Sequence, residues 1–340
     1  MKNIQIDEQA EQLALARAGN QEAFEKLVEP YRREILVHCY RILGSFEDAE
    51  DISQEILLRV WKRLDSFEAR SSLRAWLYKI ATNACLDVLD SRRVRGLSKE
   101  LYQRGDPTRD LPPPSNEVIW VEPFPDEYID GQPSIYPEAR YEVRESITLA
   151  FVAALQKLPG RQRAALILCD VLGWSANEAG EILDTSTAAI NSALQRARGT
   201  MKQPERKTTS TLLNEQLSAL LARYVTAWEA ADSAALVAVL REDVALTMPP
   251  LPVWFSGRDD VQTFIAGKLF KMFDVFRVQL KPVRANGSPA FAVYQMDPDG
   301  IYRAAALHIL TIEDDSISEI NDFLTFDGEL FTKFGLPVMI

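Results

Sequence analysis

The chain has only two histidines and three cysteines in 340 residues. His38 and His308 are far apart, and Cys39, Cys85 and Cys169 show none of the paired spacings that hold a metal. The cysteines lie in apolar helical contexts and read as small core residues of a reducing compartment. No metal or other cofactor is expected. The chain also lacks an apolar run long enough to span a bilayer, and its polar N-terminus carries no signal-peptide pattern, so a cytoplasmic protein without membrane contact is expected. Bulk positive charge is missing as well. The net charge is −11, distributed as −1 over residues 1–96, −5 over 97–140, +1 over 141–203 and −6 over 204–340. That excludes a protein holding duplex DNA by electrostatics alone, but permits one that borrows affinity from a larger basic partner.

What is present is organised around residues 47–95. Ile52, Ile56 and Val60, with Leu57 and Trp61 one position round, have the period of an amphipathic helix whose first turn is crowded with carboxylates. A polar break at residues 65–72 follows. A second helix then carries Leu73, Trp76, Leu77, Ile80, Ala84, Leu86 and Leu89, and ends in Arg92, Arg93 and Arg95. An acidic face suits a basic protein partner, and an aromatic helix with a basic end suits unpaired bases and phosphates. Two helices of an ordinary bundle would show the same periodicity.

The order of residues is more specific. Asp48-Ala49-Glu50-Asp51, Gln54-Glu55 and Arg59-Val60-Trp61, then Phe67, Trp76-Leu77-Tyr78-Lys79-Ile80-Ala81, Asn83 and Asp87, resembles region 2 of bacterial sigma-70-family factors, in particular the extracytoplasmic-function group. The resemblance implies that Asp48, Asp51, Gln54 and Glu55 face core RNA polymerase. It implies that Phe67, Arg70, Ser71, Ser72, Arg74 and Asn83 face the −10 element of promoter DNA as a single strand. Ahead of this, Asp7 to Arg17 reads as a helix. Asn20 can cap a further helix, within which Pro30 should produce a kink or a division, and Gly44 ends it. Residues 1–96 form the first helical domain.

Residues 97–140 are rich in proline and acid and read as a linker unable to hold regular helix. Within it, Trp120, Pro123, Phe124, Pro125, Asp126 and Tyr128 mark either a structural tether or an intramolecular docking peptide that regulates the other parts. Residues 141–203 return to helical pattern. Ser175 with Glu178 is a capping box, and Asp184-Thr185-Ser186 is a turn before a second helix with Ile190, Leu194 and Ala197 inward. Leu155, Leu158-Pro159, Arg161-Gln162-Arg163, Gly173-Trp174 and Glu178 to Leu183 resemble sigma region 4, which reads the −35 element in duplex form. On that resemblance Thr187, Asn191, Ser192, Gln195, Arg196 and Arg198 face DNA.

From residue 212 a long helix, shorter helical pieces, an extended run at 244–251 and four strands within 277–324 read as an α+β cone over residues 212–335. Asp243, Met248-Pro249-Pro250 and Trp254-Phe255-Ser256-Gly257-Arg258 resemble the SnoaL-like branch of the NTF2-like superfamily. That implies an apolar pocket, with Trp228, Met248, Trp254, Tyr302 and His308 as candidate lining. An acid–base site needs a second titratable group beside His308, for which Asp243 and Asp322 are candidates. The expected architecture is multidomain: two all-α domains followed by the cone. The expected function is transcription initiation with core RNA polymerase on promoter DNA, without catalysis, regulated through intramolecular contact of the cone and linker with the sigma domains. The competing readings are a SnoaL-like enzyme, or a sensor for a small-molecule ligand, tethered to a DNA-binding module.

Overall fold

The computed structural model describes residues 2–68, 72–89, 95–115, 117, 119–130, 144–201, 214–271 and 277–340. They pack as two units, residues 1–95 with 121–203 and residues 96–120 with 204–340.

The first unit is helical. It begins with α1 (Lys2–Arg17), α2 (Gln21–Leu43), α3 (Phe46–Arg63) and α4 (Leu73–Leu89). Asn20 and Ser45 cap α2 and α3 by accepting from Ala23 N and Asp48 N, and Gly44 ends α2 at φ 69°. Of the kink or division expected at Pro30, the division does not occur, and α2 runs through it. Pro30 deletes one N–H, but buried Leu27 and Val28 before it and Ile35 and Leu36 after it hold both halves on one core. Val28, Ile56, Val60, Leu77 and Ala81 lie at the centre of that core.

The same unit continues through α6 (Glu127–Asp130), α7 (Leu149–Gln156) and α8 (Gly160–Leu166), which runs on as one wide turn to Val171. The helix-turn-helix is α9 (Ala176–Ile182) and α10 (Thr187–Met201), and both bonds of the Ser175–Glu178 capping box are made. Asp184 turns the chain at φ 51°. Gly180 is required here, since a Cβ on it would lie 2.8 Å from the Thr185 carbonyl.

The second unit holds α5 (Ser98–Leu101), α11 (Asn214–Glu229), α12 (Ser233–Val237), β1 (Leu240–Thr247), β2 (Trp254–Ser256), α13 (Arg258–Gly267), β3 (Val278–Ala285), β4 (Ser288–Met296), β5 (Tyr302–Glu313), β6 (Ser316–Leu324) and α14 (Glu329–Lys333). The sheet order is β2-β1-β6-β5-β4-β3, with β1 and β6 parallel and the other neighbours antiparallel. Asn286 and Gly287, at φ 54° and 69°, make the two-residue turn between β3 and β4. Alternation along β4 sets the two faces. Phe291 and Val293 join Tyr224, Trp228 and Phe264 beneath α11 and α13, whereas Ala292 and Tyr294 pack on Phe331 of α14.

The expected linker is not one element, and two of its segments form single helical turns, α5 and α6. Gly96–Trp120 is a strap on the second unit. Gly105 N donates to Trp254 O at 2.8 Å, Arg104 reaches Ser256 O and Asp260 at 2.7 Å, and Lys99 pairs with buried Glu319 at 2.9 Å. A bond of 3.0 Å from Gly96 N to Ile119 O draws the ends of the strap together.

Candidate nucleic-acid and polymerase interface

Helix α3 presents Asp51, Gln54 and Glu55 to solvent, with Leu58 60 % exposed one turn on. The spacing i, i+3, i+4, i+7 makes them one stripe. Asp48 is set apart from them. Its carboxylate is 3.0 Å from the Arg95 guanidinium, which also holds Glu122 at 3.0 Å, and all three side chains are at most 15 % exposed. The segment after Glu122 explains that burial. Phe124 packs against Tyr40 and Phe46 at 4.5 and 5.4 Å, Tyr128 lies 5.5 Å from Phe46, and Pro123, Pro125 and Asp126 are buried. Trp120 belongs to the strap of the second unit, where it bridges to Gly96.

On α4, Ser72 caps the helix by accepting from Ala75 N at 3.1 Å, and Asn83 is half-buried. Phe67 is buried against Trp76 at 5.2 Å, and its carbonyl accepts from Arg17. Arg70 and Ser71 lie outside the described residues. Arg74 is 2.8 Å from Glu34 and lies over the rings of Tyr78 and Trp174, at 5.1 and 5.5 Å. Lys79 donates to Asp184 at 2.5 Å and to Glu181 O at 3.2 Å. Trp174, Glu181 and Asp184 come from the helix-turn-helix half, so part of the α4 face is covered by it.

On α10, Thr187, Asn191, Ser192, Gln195, Arg196 and Arg198 are exposed, while Ile190, Leu194 and Ala197 point inward. Arg198 holds Asp170 through two bonds of 2.9 and 2.6 Å.

Sequence reasoning missed the joint between the two helical halves. The last carbonyls of a helix have no partner within it. At the end of α2, Tyr40 O accepts from Gly44 N, Arg41 O from Gln156 Nε2 at 3.4 Å, and Ile42 O from the Arg163 guanidinium. Arg163 also reaches Gln156 Oε1, Gln156 O and Leu158 O at 2.5, 2.9 and 3.1 Å. Arg41 donates to Ser146 Oγ at 2.6 Å. Arg163 is only 3 % exposed, and burial lowers its pKa to about 10, which leaves it charged at neutral pH beside the negative end of α2. The clue was the Arg161-Gln162-Arg163 run in an otherwise apolar helix, but its acceptor lies 121 residues away.

In the second unit Trp228, Met248 and His308 are buried. Trp254 and Tyr302 do not join them. The Trp254 indole donates to Tyr102 O of the strap at 3.0 Å, and Tyr302 packs on the opposite face with the Phe331 cluster. The register explains Tyr302. Val293 pairs with Ala306 and Tyr294 with Ala304, so a bulge at Ala305 turns the strand over between Tyr302 and His308. His308 Nδ1 is 2.8 Å from the Tyr224 hydroxyl, and Nε2 is 3.4 Å from Asp322 Oδ1, its cross-strand neighbour. Burial lowers His308 to about 3 and raises Asp322 to about 7. Asp243 instead pairs with Arg241 at the surface. Among the described residues no group of three or more His, Cys, Asp or Glu could hold a metal, and no helix is long and apolar enough to cross a membrane.

Residues 27–95 match Sigma-70 region 2, 148–201 match Sigma-70 region 4, and 221–320 match the SnoaL-like domain. The chain is 42 % identical to the ECF RNA polymerase sigma factor SigG of Mycobacterium tuberculosis over 92 % of its own length and 84 % of the relative's. It belongs to the extracytoplasmic-function RNA polymerase sigma factors. It is also 28 % identical to the ECF sigma factor SigW of Bacillus subtilis, over 55 % of this chain and 91 % of that one. The fold is that of the M. tuberculosis ECF sigma factor SigJ, at TM-score 0.58 and 24 % identity, covering 92 % of this chain and 99 % of that one. As a sigma factor it carries region 2 on α2 to α4, region 4 on α7 to α10, and an NTF2-like cone after them.

Proposed function

We propose that this sigma factor engages core RNA polymerase through Asp51, Gln54 and Glu55, reads the −10 element with α4 and the loop before it, and reads the −35 element with α10. Asp48 contributes by anchoring Arg95 and Glu122 rather than by touching polymerase. We also infer that regulation in cis is inhibitory. The observation carrying this is the position of region 4, which caps the end of α2 and covers Arg74 and Lys79 on α4. Two domains joined this way do not present separate promoter elements. The connection between regions 2 and 4 includes the strap, which folds with the cone, so the cone holds part of that connection in place. The cone acts as a regulatory module rather than an enzyme, since Tyr224, His308 and Asp322 are each at most 5 % exposed and shut off from solvent.

The test is run-off transcription with purified core polymerase. Asp51→Ala with Glu55→Ala should lower core binding and transcript together. Lys99→Ala with Arg104→Ala, which loosens the strap, should raise transcript at unchanged core binding. Silence of the native chain and of the strap variant, with no core binding by either, would overturn the initiation reading. Unchanged or reduced transcript from the strap variant alone would overturn the inhibitory sign.

A further inference from the structure

An unpaired nucleotide offers two things to a protein: a planar aromatic ring for stacking and an anion for a cationic side chain. Region 4 offers the same two to α4. The Trp174 indole lies under the Arg74 guanidinium at 5.5 Å and against the Tyr78 ring at 5.5 Å. The Asp184 carboxylate takes the Lys79 ammonium at 2.5 Å. Arg74 and Lys79 lie five positions apart on α4, and beside them is a cleft of about 450 Å³ lined also by Trp76, Trp174, Glu178 and Glu181. Trp76 is half-buried there, packed against Phe67 with the rings tilted by 42°.

We propose that Trp174 and Asp184 occupy the place of one unpaired nucleotide of the promoter strand. Arg74 is then the stacking surface for the base, and Lys79 is a further DNA-binding residue that takes the phosphate. This rests on α4 being the −10 surface. It goes beyond that reading in assigning Lys79, in dividing base from phosphate between two side chains, and in identifying the occupant that competes for them. The acidic rim supports it. Glu178 and Glu181 sit over the cleft in this arrangement and would repel a DNA backbone, so a strand gains access only when Trp174, Glu178, Glu181 and Asp184 leave together. The Lys79–Asp184 part of the contact is also dispensable for folding. The Lys79 and Asp184 side chains are 38 % and 66 % exposed, so their pair adds little to stability.

The experiment measures binding of fluorescein-labelled oligo(dT) and oligo(dA) single strands to the full chain by anisotropy. Trp174→Ala with Asp184→Asn should bind both probes about tenfold more tightly than the native chain, the scale of one base-stacking contact. Adding Lys79→Ala to that pair should remove the part of the gain owed to the phosphate and make affinity less sensitive to salt. Asp184→Asn alone changes an exposed side chain and should still give a severalfold gain, so the idea stays testable if the Trp174 change unfolds region 4. No gain from either variant would refute the mimicry. A gain that survives Lys79→Ala undiminished, with the salt dependence unchanged, would refute the assignment of Lys79. A chain that initiates transcription yet shows no gain would fail this proposal alone, whereas a chain that never initiates would fail the reading beneath it.

Discussion

Arg163→Met separates the role of the joint from its contribution to the fold. The guanidinium supplies the donor for Ile42 O at the end of α2 and binds three acceptors within its own half. Methionine fills much of the same volume but donates nothing. An unsatisfied buried carbonyl costs about 1–3 kcal/mol. The bonds to Gln156 and Leu158 are made whether or not region 4 sits on region 2, so their loss weakens the fold without changing the balance between joined and separated domains. The loss at Ile42 O shifts that balance, because a separated α2 would expose this carbonyl to water. About 2 kcal/mol there changes the ratio of joined to separated forms by roughly thirtyfold. The expected result is a lower melting temperature together with more run-off transcript at equal factor concentration. Donor and acceptor dyes on exposed positions of α3 and α10 should report a longer distance in the variant. If transcript falls in proportion to stability, or the distance is unchanged, the joint is structural and the reasoning fails.

Two further outcomes concern region 4 and the cone. Arg196→Ala on α10 should weaken duplex binding by region 4 and reduce the slope of log affinity against log salt by about one, as expected for a lost phosphate contact, in filter binding over a salt series. Asp322→Asn should make the cone's stability depend more steeply on pH than the native cone's, in which Asp322 and His308 offset one another. Unfolded, Asp322 gives up its proton near 3.8 and His308 near 6.5, whereas folded they do so at about 7 and about 3. Between about pH 4 and 6.5 the pair therefore binds one proton in either state, and two opposite dependences cancel. The raised pKa of Asp322 alone would make stability fall as pH rises through that window, and the lowered pKa of His308 alone would make it rise. Asparagine leaves only the histidine, so the variant should lose up to ~1.4 kcal/mol per pH unit between 6.5 and 4 by calorimetry. Parallel curves for variant and native would show that the pair does not share a proton.

Local patterns carried much of the architecture in the sequence. The inward stripe of α10, the Ser175–Glu178 capping box, the Asn286-Gly287 turn and the alternating strands are each written within a few residues. What escaped was set by distant partners. Asp48 stands in an acidic first turn like its exposed neighbours, and only Arg95 and Glu122 bury it. Tyr302 and His308 have the same parity along one strand, and only the bulge at Ala305 puts them on opposite faces. Arg163 reads as one more basic residue on a short helix until the end of α2 is placed beside it. Pro30 is a helix breaker by its chemistry, and tertiary burial on both sides overrode that.

The order in which the chain visits its two units decides how regulation can be studied. It runs through the first unit to Arg95, the second from Gly96 to Trp120, the first again to Gln203, and the second to its end. Cutting after region 4 therefore does more than remove a cone. It strips Lys99 of Glu319, Arg104 of Asp260, Gly105 of its place beneath Val253 and Phe255, and Leu111 of the core it packs against. The freed strap would then expose apolar surface and loosen part of the connection between regions 2 and 4 at once. A change in transcript from such a truncation confounds loss of the cone with release of the strap. The joint at α2 lies wholly within the first unit and survives the cut, so a truncated factor should gain transcript no further than the loosened strap allows. Adding Arg163→Met to the truncated chain should raise initiation further, and if it does not, the contacts at the end of α2 are not what keeps regions 2 and 4 together.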